Sequence, residues 1–162
     1  MVEIYYSNIW NDWKSGNIQA TVLFNGQTGE GQVNTDLYGG FITTDTNYGT
    51  SISYSNTSIT LSGVGNYSSG TWCPIARSKN TIDLTNYKEL IINVKETAGW
   101  EYYATNLNSS TTTPVPGETY RKSISLGENI IDISQANGRY YLWVSGTVNT
   151  TGKCVIDYIA LK

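Results

Sequence analysis

Clusters of Gly, Asn, Ser and Thr interrupt this 162-residue chain at intervals of roughly ten residues, and the runs between them are short, alternating or β-branched. No window carries a convincing helical period. The runs predict strands near Glu3 to Tyr6, Ile18 to Phe24, Ser51 to Tyr54, Ser58 to Gly63, Thr71 to Ser78, Lys88 to Thr97, Trp100 to Leu107, Thr119 to Leu126, Asn129 to Ile133, Arg139 to Gly146 and Lys153 to Leu161. Asn25 to Gly49 and Asn108 to Gly117 read as long structureless segments. Short strands without helical connectors exclude βαβ units, so two antiparallel sheets packed face to face are expected.

Composition agrees. The polar surface is built from uncharged groups, with 16 each of Ser, Asn and Gly and 21 Thr, while only 14% of residues are charged. Sixteen Ile, 13 Tyr and 5 Trp suit a pleated, half-buried surface. By size the expectation is an all-β, two-sheet antiparallel β-sandwich of jelly-roll type, one domain spanning residues 1–162. Residues 1–50 are its least defined part, read as a possible N-terminal extension with long loops.

Several chemistries are absent from the start. With no histidine there is no Ser-His-Asp or Cys-His nucleophile and no His-liganded metal. Cys73 and Cys154 are too few for a four-cysteine site; they read as small apolar strand residues, with a disulfide between them as the alternative. The net charge of −3 and scattered Lys and Arg leave no basic stripe, so nucleic acid is not an expected partner. No run approaches the roughly 20 apolar residues of a membrane span. The opening Met-Val-Glu-Ile-Tyr-Tyr lacks the pattern of a signal peptide, and is read as the start either of a cytoplasmically made chain or of a truncated one. Without His, catalysis would need paired carboxylates, and the 13 acidic residues form no close pair in sequence, so the chain is read as a non-enzyme.

A weak internal echo runs through the second half. Ile82-Asp83-Leu84-Thr85 leads through a turn into Leu90, Ile92 and Val94, and Ile131-Asp132-Ile133-Ser134 leads through Asn137-Gly138 into Tyr140, Leu142 and Val144. The Asp and Ser/Thr of each copy are expected to hydrogen-bond turn backbone. The run from Ile82 to Val94, then Asn129-Ile-Ile-Asp-Ile133, Gly138-Arg-Tyr-Tyr-Leu-Trp-Val144 and Val155-Ile-Asp-Tyr-Ile-Ala-Leu161, resembles jelly-roll domains of two kinds. One is the carbohydrate-binding modules attached to glycoside hydrolases; the other is the tail-fibre and baseplate modules of phages and prophages of Gram-positive bacteria, where a segment like Ser58-Ile-Thr-Leu-Ser-Gly63 precedes the run. The resemblance covers roughly residues 50 to 162. It implies a lectin-like sugar-binding protein, placed in a virion (phage tail) or outside the cell as a module of a larger protein, with a carbohydrate or cell-surface glycan as partner.

Aromatic placement gives the candidate site. In Arg139 to Gly146, period-2 alternation sends Tyr140, Leu142 and Val144 to the core and Tyr141, Trp143 and Ser145 to the other face, where a sandwich meets solvent. Trp100 and Tyr102 share a face with Ala104 and Asn106, and Trp72 lies opposite Cys73 and Ile75. Rings on a Ser, Thr and Asn surface suit the C–H face of a pyranose, with amides and hydroxyls for the sugar hydroxyls. The same rings suit sheet packing or an interface in a homo-oligomer. Trp10 and Trp13 are read as capping one end of the core. The resemblance also implies a structural calcium held by a last-strand acid, which would be Asp157 with Glu3 as partner; the sequence has no Asp-rich loop for it, and a buried Asp bonded to backbone is the other reading of Asp157.

Overall fold

The computed structural model describes residues 21–25, 41–43, 48–55, 57–66, 72–108 and 121–162. These form twelve strands and, among the described residues, no helix: β1 (Thr21–Asn25), β2 (Phe41–Thr43), β3 (Thr50–Tyr54), β4 (Ile59–Gly63), β5 (Trp72–Ser78), β6 (Ile82–Asp83), β7 (Glu89–Ala98), β8 (Tyr103–Asn108), β9 (Lys122–Ser123), β10 (Gly127–Asp132), β11 (Arg139–Thr147) and β12 (Gly152–Leu161). The expected strand at Glu3 to Tyr6 and the pair Trp10 and Trp13 lie outside the described residues.

All pairing is antiparallel, in two sheets. The first runs β10-β7-β12-β4-β3, with β1 continuing the β4 edge along the second half of β12. The second runs β2-β5-β11-β8-β9, with β6 beside the start of β11. Consecutive strands alternate between the sheets from β4 to β5 and from β7 to β8, and again from β10 through β11 to β12.

One apolar cluster fills the space between the sheets. Ile59, Leu61, Leu90, Ile92, Val94, Ile156 and Ile159 come from the first sheet and Cys73, Ile75, Leu107, Leu142 and Val144 from the second, all buried. Alternation in β11 placed Leu142 and Val144 correctly. Phe41, in the segment expected to be structureless, is buried and begins β2, which pairs with Ala76 to Ser78 of β5. A three-residue strand amid Gly and Thr carries too short a period to stand out.

Pro74 sits inside β5, where a missing N–H would break a central ladder. The chain accommodates it with a register shift between Val144 and Ser145 opposite it, and among the described residues β2 pairs with β5 from Ser78 to Ala76 on the other side. The sequence echo is also real structure. The Asp83 carboxylate accepts from the Thr85 N–H at 3.0 Å and the Thr85 hydroxyl at 2.7 Å, and Asp132 accepts from the Ser134 N–H at 2.9 Å. These bonds hold both carboxyls below the usual carboxylate range, while Ile82, Leu84, Ile131 and Ile133 anchor the two turns in the core.

Cys73 and Cys154 are free thiols, both buried. Burial pushes them up to about 11 and about 12 respectively. Both should therefore resist iodoacetamide in the native protein at pH 8 and react once it is denatured, without prior reductant. Alkylation of the native protein, or protection that persists in denaturant until a reductant is added, would contradict this packing.

Candidate functional site

The outward face of the second sheet is read off the register. Along β11, Thr147 lies opposite Trp72, Ser145 between Pro74 and Ala104, Trp143 between Arg77 and Asn106, and Tyr141 opposite Asn108. Tyr141 and Thr147 are six residue steps apart, so the strip is about 20 Å long at ~3.3 Å per residue.

At the Thr147 end three side chains assemble. The Trp72 and Tyr102 rings stand 5.5 Å apart at 53°, and the Arg121 guanidinium lies 4.6 Å from the centre of the Trp72 ring. The Tyr102 backbone N–H donates to the Thr147 hydroxyl at 2.9 Å, fixing the segment before β8 against the end of β11. Tyr102 is 49% exposed, and Trp72 and Arg121 are half-buried. Edge-tilted rings with a cation over one of them keep a flat apolar surface in a set orientation.

At the other end the Arg77 guanidinium lies 4.7 Å over the half-buried Tyr141 ring. Its Nη1 donates to the Ser78 carbonyl at 3.0 Å and, more weakly, to that of Lys79 at 3.4 Å. Arg77 is only 8% exposed.

Two expected site residues are not open to solvent. Trp143 does point away from the core, but it is 1% exposed, and among the described residues its Nε1 finds no hydrogen-bond partner. It is therefore no open stacking platform. Alternation fixes the side of a sheet, not what lies over it, and its neighbours Arg77, Asn106 and Ala104 are buried too. Trp100 is not on the Tyr102 face at all. β8 starts at Tyr103, so the period does not extend back to Trp100, which turns into the core at 4% exposure, 5.7 Å from the Tyr103 ring. Its Nε1 donates to the Thr150 carbonyl at 2.7 Å. Of the five aromatic candidates, the exposed Tyr102 and the half-buried Trp72 come together, Tyr141 is half-buried at the other end of the strip, and Trp143 and Trp100 are buried. Sequence reading missed Arg77 and Arg121, because a search for basic stripes passes over single arginines stacked on rings.

The calcium expectation meets a poor donor set. Asp157 is buried, and its Oδ1 accepts from the Asn93 side-chain amide at 2.6 Å. Glu3 lies outside the described residues, and among the described residues no three His, Cys, Asp or Glu side chains gather as a metal would require. Calcium needs six to eight oxygens, which the described residues do not offer at Asp157.

Burial raises the Asp157 carboxyl above its usual value, with the Asn93 hydrogen bond and Lys95 opposing. The folded protein thus holds this proton more tightly than the unfolded chain. Between the ordinary and the raised value, stability falls as pH rises, and the loss is complete above the raised value. Asp157→Asn retains an acceptor for the Asn93 amide and removes the buried charge. Urea unfolding of this variant should show equal or greater stability than wild type at neutral pH, and a flatter decline from acid to neutral. An unaltered pH profile would count against the assignment.

No protein-family model, no curated protein and no solved structure matches the chain. Among the described residues, no helix is long and apolar enough to cross a membrane.

Proposed function

We propose that this chain is a non-catalytic carbohydrate-binding β-sandwich whose binding face is the outward side of the second sheet. The observation that carries the reading is the pair of rings, exposed Tyr102 and half-buried Trp72, set by Arg121 and Thr147. They border a strip whose other open or half-open groups are uncharged, namely Ser145, Thr147 and Asn108. A pyranose has an apolar C–H face for the rings and hydroxyls for the amide and hydroxyl groups. Strand order supports the jelly-roll form of the sandwich: β4-β12-β7-β10 in one sheet and β5-β11-β8-β9 in the other interleave in chain order as two Greek keys do. In that reading the protein is a surface module, of a phage tail or of a larger extracellular protein, and its ligand is a bacterial or plant glycan.

A glycan array with the purified wild type tests this: retention of a defined set of polysaccharides is the expected result. An array with no bound glycan would contradict it. The second reading is a structural virion or fibre module that packs against copies of itself. The exposed Ile130 on edge strand β10, with Leu126 just before it, favours that reading. Mass in solution separates the two, since self-association through such a face gives a multimer without any glycan.

A further inference from the structure

The two sheets differ in charge. The strands of the first carry five carboxylates, Glu89, Glu96, Glu128, Asp132 and Asp157, against Lys95 and Lys153. Those of the second carry Arg77, Lys122 and Arg139 against Asp83, to which Arg139 is paired at 3.8 Å. Arg121 adds a further cation beside β9. In a chain of net charge −3 the strands of the ring-bearing sheet, together with Arg121, are thus net positive, with the exposed Glu101, next to Tyr102 in the chain, as a further acid.

Arg77 carries the argument. A nearly buried guanidinium is costly unless an anion or a full set of acceptors accompanies it. Here two backbone carbonyls and the Tyr141 ring are its partners, and among the described residues no carboxylate pairs with Arg77 or with Arg121. Directly across from Arg77 on the neighbouring strand is Trp143, whose buried Nε1–H has no acceptor among the described residues. On this face the Trp143 N–H finds no acceptor among the described residues, and neither arginine of the strip has a carboxylate paired with it among them.

We infer that the ligand of this face is an anionic polysaccharide, its acid groups meeting the Arg77–Tyr141 and Arg121–Trp72 stations along the strip. This rests on the carbohydrate reading above and narrows it. A sugar carboxylate and a phosphodiester both supply the acceptors and the charge; a forked guanidinium takes either in bidentate fashion.

The test is affinity electrophoresis of the full chain in gels containing polygalacturonate, its fully methyl-esterified form, or a poly(glycerol phosphate) teichoic acid, at low and at moderate salt. Retardation by at least one of the two polyanions, none by the neutral ester, and weakening with salt are expected. Arg121→Gln, on a half-buried side chain, should weaken retardation about tenfold, as loss of a charged hydrogen bond does, with unchanged circular dichroism. Arg77→Lys keeps the charge but loses the fork, and should weaken it as well. Whichever polyanion is held identifies the acid group. Equal retention by the neutral ester, or by Arg121→Gln, overturns the acidic specificity while the carbohydrate reading stands. Retention by neither polyanion, with neutral glycans bound on the array, overturns it equally; an array without any bound glycan removes the carbohydrate reading too.

Discussion

Trp100→Ala is expected to destabilise the protein by about 3–5 kcal/mol, through lost burial and the cavity left behind. The ring does more than fill space. It lies in a slot between two glycines, Gly146 near the end of β11 and Gly152 at the start of β12, while its Nε1–H ties down the Thr150 carbonyl in the connection between them. A methyl group on Gly146 would come within 2.6 Å of the indole, and one on Gly152 would collide with it as well. Gly146→Ala and Gly152→Ala should therefore each cost about 1–3 kcal/mol by overpacking. Against a Trp100→Ala background those costs should vanish, because the methyl then enters the vacated space. A double-mutant cycle from urea unfolding measures that coupling. Glycine substitutions that cost the same in both backgrounds would show that the ring is not in the slot.

The second large effect is at Trp143. Trp143→Ala should also cost about 3–5 kcal/mol, close to what Leu142→Ala costs on the opposite side of the same strand. Trp143→Phe should cost far less. The phenyl ring refills most of the volume, and the substitution deletes an N–H that is buried without an acceptor, a group that is itself unfavourable by about 1–3 kcal/mol. If Trp143→Ala leaves the unfolding midpoint unchanged, the ring is exposed after all. If Phe is as damaging as Ala, the indole N–H has an acceptor.

The contrast between Trp143 and Leu142 shows what the sequence holds and what it lacks. Period-2 alternation assigned Leu142 and Val144 to the core correctly and set Cys73 and Ile75 on the face opposite Trp72, since a pleated strand leaves no other choice. The turn residues Asp83, Thr85, Asp132 and Ser134 were legible because their bonds are local. Strand pairing is not local. That Trp143 lies across from Arg77, and that Arg121 reaches Trp72 from a position 49 residues away, follow from register, which no spacing in the sequence states. Trp100 was misplaced by a single wrong strand start. The site was therefore legible as a set of rings and illegible as an arrangement, and its arginines became visible only with the strands side by side.

Trp72 is the ring on which sugar binding turns, because it is half-buried, stacked with Tyr102 and Arg121, and outside the core cluster. The decisive measurement is the dissociation constant of Trp72→Ala for the polysaccharide that wild type binds best on the array, taken together with its urea midpoint. Binding should be lost, since a ring supplies much of the contact area in a weak sugar complex, and the midpoint should stay close to wild type. Undiminished binding by Trp72→Ala would contradict this role for the ring.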